Sequence, residues 1–168
     1  MSGKIEPMPY QVIAALAERY AALSDAELLA GLSSLAPLAD ESDSCWDERG
    51  YWNAVAYPYL AFADVAARRR LVPAIPLLLE RACFGDPGEI MRGLRHSLEA
   101  IVNPDWSTLA TFCIEAASSA RQGTQLWALD QLAILDDPRA EPVFRRALAG
   151  PEGIRSVAQV GLERLGAS

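Results

Sequence analysis

Very few side chains in this 168-residue sequence could act as a nucleophile, a base or a soft metal ligand: one histidine, His96, and three cysteines, Cys45, Cys83 and Cys113. His96 titrates near neutrality when unperturbed. On a helix it shares a face with Arg92 and Glu99, at i−4 and i+3 spacing. That face could form a polar contact in a groove or hold a general base, or it could simply be solvated surface. A Cys–His pair would need a thiol beside the imidazole in space. Cys83 and Cys113 fall among apolar helix positions, where cysteine behaves as a small hydrophobe. With no Cys-x-x-Cys spacing, neither a zinc site nor a disulfide framework is expected, which fits a reducing compartment. Asp64 and Asp130 each interrupt an apolar face, and a buried carboxylate must be paired. Arginines on neighbouring helices supply the partners. Phosphate-binding, zinc-protease and serine-hydrolase motifs are absent from the sequence. The expectation is a non-enzyme without cofactor or metal.

The stretch ADESDSCWDERG, residues 39–50, carries five acids and one arginine, and Tyr51 and Trp52 follow it. Asp40, Glu41, Asp43, Asp47 and Glu48 could meet a basic protein surface while Trp46, Tyr51 and Trp52 supply aromatic contact area. The plainer reading is a solvated connector whose tryptophans fold back onto the core. Arg92, His96 and Asp130 form the second candidate surface. Charge supports the choice of partner. The net charge is −7, and residues 1–50 hold nine of the 22 acids but three of the 15 bases. Phosphate backbones would repel such a chain, so nucleic acid is not expected, whereas a basic protein would be attracted. Of the fifteen bases all but Lys4 are arginine, a bias read as compositional.

These residues need elements to position them. A chain this long buries roughly 70% of its unfolded surface as one domain. Alanine and leucine dominate, which favours helix. A first helix is expected from Pro9, with Ile13, Leu16, Tyr20 and Leu23 on one face. Ser24 and Glu27 read as a capping box opening a second helix whose face is Leu28, Leu29, Leu32 and Leu35. Residues 1–38 thus form an N-terminal helical hairpin, followed by the acidic loop over 39–50. Residues 51–70 read as a central helix, apolar all round until its arginines. Pro58 should kink it or start a new helix. From residue 71 to 166 three helix pairs are expected: Pro73–Phe84 with Glu89–Val102, Trp106–Ala120 with Thr124–Leu135, and Arg139–Ala149 with Ile154–Leu165. Gly88, Gly123 and Gly153 are read as the breaks, at about the period of helical solenoids. Arg92, Gln125 and Arg155 hold equivalent places early in each second helix. No apolar run reaches the ~18 residues of a membrane span, and Glu6, Pro7 and Pro9 interrupt any signal-like segment. A cytoplasmic protein without membrane contact is expected.

The sequence LeuAspAspProArgAlaGluProValPhe, then GlyProGluGlyIleArgSerValAla and GlyLeuGluArgLeuGly, resembles a HEAT-like repeat of the phycobilisome-lyase type. The resemblance covers residues 71–166 and implies an Asp-Pro turn before each first helix and an arginine opening each second. It also implies a buried pair between Asp86 and Arg92. Pro151 and Glu152 depart from the pattern, as does Gln125. The expected fold is therefore all-α, a short right-handed solenoid behind a helical hairpin. The expected function is non-enzymatic protein binding. In its most concrete form this is a small acidic inhibitor of a basic partner, as an immunity protein is of its cognate toxin. A phycobilisome-lyase-like chaperone or lyase and a general assembly scaffold are the alternatives.

Overall fold

A computed structural model describes residues 9–85 and 90–166. It is 74% helical, and no strand occurs among the described residues. Helix α1 spans Pro9–Tyr20 and α2 spans Asp25–Ser34. The capping box forms as expected: Glu27 N–H donates to Ser24 Oγ, and Ser24 N–H donates to Glu27 Oε2 at 2.8 Å. The hydrogen bonds from Ser24 hold the Glu27 carboxyl below its ordinary pKa.

The acidic loop contains a 3-10 turn, Ser44–Asp47. Helix then begins earlier than expected, at α3 (Arg49–Tyr51), and continues through a π-helical turn, Trp52–Ala56, into α4 (Tyr57–Arg68). Tyr57 N–H donates to Trp52 O, five residues back. A proline inside a helix has no N–H and crowds the carbonyl four residues before it. The widened turn just ahead of Pro58 absorbs that conflict. Pro58 therefore neither ends the helix nor restarts it. The helix stops at Arg68, and Arg70 turns the chain with φ +51°.

Helices α5 (Ala74–Glu80), α6 (Ile90–Val102), α7 (Trp106–Ala116) and α8 (Gln122–Leu135) follow. A 3-10 turn over Pro138–Ala140 leads into α9 (Glu141–Ala147), and α10 spans Glu152–Arg164. Two expected helices end early. Helix α5 stops at Glu80, not Phe84, because residues beyond it pair with the acidic loop: Leu38 N–H donates to Arg81 O and Glu41 N–H to Phe84 O. Helix α7 stops at Ala116, not Ala120, and Ser119 Oγ accepts Arg121 N–H in the turn that follows. Gly123 and Gly153 are not breaks but lie in the first turns of α8 and α10. Gly88 and Asp86 fall outside the described residues, and with them the expected Asp86–Arg92 pair. Of the Asp-Pro turns expected before each first helix, one forms ahead of α9, with Asp137 accepting Arg139 N–H, whereas α5 and α7 follow Val72-Pro73 and Pro104-Asp105.

Helix α1 packs on α4, and α4 on α6; alongside them α2 packs on α5, and α5 on α7. Helix α8 joins the end of this arrangement through α7 and α10, and α9 covers α10. One cluster of buried side chains runs from Ala17 to Leu162. Tyr20 stacks on Phe62 at 4.1 Å, and the fully buried Tyr59 donates its hydroxyl to Leu78 O at 2.9 Å. Burial raises the Tyr59 pKa well above the usual value. No helix among the described residues is long and apolar enough to cross a membrane.

Arginines join the helices end to end. The last four carbonyls of a helix lack intrahelical donors. Arg69 donates to Ala21 O and Leu23 O just beyond α1, at 2.9 and 2.8 Å. Arg81 donates to Ser33 O at 2.5 Å and Leu35 O at 3.1 Å, closing the end of α2. Arg121 reaches Glu80 O at the end of α5 and Leu38 O at 3.2 Å. Arg164 donates to Ala133 O near the end of α8 at 3.1 Å. The Arg81 side chain is 10% exposed, so its loss leaves carbonyls with little access to water. Arg81→Met should cost about 3 kcal/mol in urea unfolding, since hydrogen bonds to charged groups contribute about 1.5–3 kcal/mol each and these are coupled. Arg81→Lys should recover part of this, because an ammonium cannot span both acceptors. A loss under about 0.5 kcal/mol for Arg81→Met would remove the cap from the folding argument.

Candidate functional site

The acidic loop is an ordered structure. Asp40 Oδ1 accepts Phe84 N–H at 2.8 Å, and Asp40 N–H donates to Asp43 Oδ2 at 3.0 Å. Asp40 O accepts the Trp46 indole N–H at 2.8 Å. Trp46 O in turn accepts the Trp52 indole N–H at 2.7 Å, and the Tyr51 hydroxyl accepts Ala39 N–H at 2.6 Å. The rings pack edge to face, Trp46 against Tyr51 at 4.7 Å and against Trp52 at 5.2 Å. All three aromatics are half-buried and lean on the core. The three aromatics hold the loop by these bonds and ring contacts. Glu41, Asp43, Asp47 and Glu48 remain exposed around them.

The second candidate surface rearranges. A groove of about 360 Å³ lies between α6, α8 and α10, and Phe84, Met91, Arg92, Arg95, Trp127 and Asp130 contribute to its lining. Beyond it a second hollow of about 350 Å³ shares Arg95, Asp130 and Val157 and adds Ile134, Val160 and Arg164. Arg92 and Asp130 thus meet in one groove, while His96 is exposed on α6 and lines neither hollow. The residue that reaches Asp130 is Arg95, at 2.9 Å, with Asp130 52% exposed. Asp130 is therefore ion-paired without being buried. Asp64 is likewise paired in the open, with Arg68 at 2.7 Å. Sequence reasoning missed Arg95, Phe84 and Trp127. Arg95 stands one helical turn from Arg92 and could have been placed on the same face. Nothing in the sequence marks Phe84, which lies beyond the end of α5 with its ring half exposed.

Phe84 joins the two surfaces. Its backbone is fixed by Asp40 and Glu41, while its half-exposed ring lines the groove. Next to it Gly85 takes φ +92°, a conformation that favours glycine, and a β-carbon there would collide with Glu41.

The thiols are poorly placed for chemistry. Burial pushes the Cys113 thiol up to about 12. Desolvation, with Asp43 and Glu48 nearby, also raises Cys45. Among the described residues no group of three or more His, Cys, Asp or Glu side chains is arranged to hold a metal ion. Comparison with protein-family models, curated proteins and solved structures gives no match.

The junction can be tested at a glycine. A β-carbon on Gly123 would lie 2.9 Å from both Phe84 N and Asp40 Oδ1, and 3.0 Å from Cys83 C. These neighbours are mostly backbone, so Gly123→Ala should destabilise by about 1–3 kcal/mol. A β-carbon on Gly153 meets nothing within 4 Å. Gly153→Ala should stabilise by about 0.4–1 kcal/mol. Equal effects at the two sites in thermal unfolding would contradict the close approach of α8 to residues 83–84.

Proposed function

We propose that this chain is a protein-binding module whose ordered acidic loop docks on a basic partner. The observation that carries the reading is the hydrogen-bonded frame of Asp40, Trp46, Tyr51 and Trp52. It holds four exposed carboxylates on a fixed backbone beside an aromatic cluster. A preorganised surface loses less entropy on binding than a free connector would. The charge of −7, concentrated in residues 1–50, favours fast association with a cationic face. In its most concrete form the module is an inhibitor that covers a basic partner's working surface, as an immunity protein covers a toxin. The paired rows α1–α4–α6 and α2–α5–α7 suit a short right-handed solenoid of HEAT-like helix pairs, an architecture that hosts binding surfaces on many unrelated tasks.

The frame also assigns distinct roles within the loop. Asp40 organises it together with the exposed Asp43, whose acceptor oxygen an asparagine keeps, whereas Asp47 and Glu48 are exposed beside that frame. In stopped-flow kinetics with a basic protein that co-purifies with this chain, changing Asp43→Asn, Asp47→Asn and Glu48→Gln together should slow association about tenfold at low salt. It should also flatten the salt dependence and leave the melting temperature nearly unchanged. Trp46→Ala should instead lower the melting temperature, since it removes the bond to Asp40 O and both ring contacts. An unchanged association rate for the triple variant would overturn the docking role of the loop.

A further inference from the structure

Two residues that line the groove between α6, α8 and α10 carry buried donors with no acceptor among the described residues. Trp127 is 6% exposed and lines the groove, yet its indole N–H is buried with no hydrogen-bond partner among the described residues. Arg95 Nε is in the same position. Buried donors of this kind are costly and uncommon in a folded protein. Arg95 is engaged to Asp130 through Nη2 alone in the ion pair, which leaves the Nε edge of its fork to another acceptor. The local charge also runs against that of the chain: Arg92, Arg95 and Arg164 line the two hollows against Asp130.

Apolar surface lies on both sides of the Arg95–Asp130 pair. Phe84, Met91 and Leu126 stand in one hollow, and Ile134 and Val160 in the other. Phe84, Ile134 and Val160 are among the exposed large hydrophobic side chains of the molecule. The pair thus divides one open groove into two apolar hollows of similar volume.

We propose that this groove binds an extended peptide segment of a partner protein that sets one carboxylate between two apolar side chains. The carboxylate takes the Arg95 guanidinium in competition with Asp130, and the flanking side chains fill the two hollows. A peptide carbonyl in the first hollow accepts the Trp127 indole N–H, which is buried in the free protein and is uncovered on binding. A half-exposed ion pair contributes little to stability, so exchanging it for a ligand contact costs little. This reading does not rest on the acidic loop, which meets cations.

The probe is the peptide acetyl-Phe-Ala-Glu-Ala-Leu-amide, with glutamine and lysine versions as controls, titrated into the 15N-labelled full chain. The indole N–H resonance of Trp127 is identified by its loss in Trp127→Phe. The glutamate peptide should shift that resonance saturably and bind about tenfold tighter than the glutamine peptide, the worth of one charge-assisted contact. Arg95→Gln should abolish the preference for glutamate. Asp130→Asn, which removes the competing carboxylate from an exposed position, should tighten the glutamate peptide about threefold. That variant keeps the test decisive if Arg95→Gln folds poorly. The proposal is overturned if Trp127 is unmoved by the glutamate peptide up to about 1 mM, or if the glutamate and glutamine peptides bind equally. Tighter binding of the lysine peptide would also overturn it, and would assign Asp130 to a cationic ligand. Since the peptide carries no basic residue, loss of loop docking by the triple amide variant leaves this result untouched.

Discussion

Arginine at the carbonyl ends of helices is the interaction on which this structure turns. Its helices are short, so a large share of their backbone carbonyls fall in the last turn, where no intrahelical N–H is available. Burying such ends between other helices is possible only if a donor arrives from outside. Arg69, Arg81, Arg121 and Arg164 each supply one from a later part of the chain. The guanidinium suits the task because its planar fork can reach acceptors on two segments at once and stays charged at any working pH. Arg121, for example, bonds both Glu80 O and Leu38 O. The scarcity of lysine, which composition alone leaves as a bias, has a structural use at these four positions.

The shape of the surface follows from these caps. Arg81 and Arg121 fix the start of the acidic loop against the end of α5, and the backbone bonds of Leu38 and Glu41 extend that contact to Phe84. Asp40 then bonds Phe84 N–H, beside the first turn of α8 at Gly123. A carboxylate there is favoured by the positive end of the helix as well as by its hydrogen bonds. The same contacts that order the loop also place Phe84 at the mouth of the groove. Loop and groove are therefore neighbouring parts of one surface, with acids exposed on the first and arginines lining the second.

Polar satisfaction is uneven across the molecule. Arg69, Arg81 and Arg121 are engaged with several acceptors, and Asp137 lies below its ordinary pKa chiefly through its hydrogen bonds from Arg139. Arg139 also ties the turn before α9 to Ser107 O in α7 at 3.0 Å. Against this background the unmatched Nε of Arg95 and indole of Trp127 stand out. Both belong to residues that line the groove.

The sequence by itself determined the helices and some of their ends. Ser24 and Glu27 specify a start that needs only local bonds, and the leucine spacing of α2 specifies which face is buried. The apolar character of residues 51–70, as far as the arginines, likewise called for a central helix, and α4 lies between α1 and α6. Tertiary structure decided where α5 ends, because pairing with the acidic loop takes over Arg81 and Phe84 from the helix ladder. It decided that Gly123 is a point of close approach and not a break, since only the nearness of residues 83–84 distinguishes it from Gly153. It decided as well that Arg95 forms an ion pair with Asp130, while His96 stands exposed away from the groove. A helical pattern in sequence gives the face on which a side chain stands to within about a turn. Which residue on that face reaches a partner on another helix depends on how the two helices are set against each other, and that is fixed by contacts far apart in the chain.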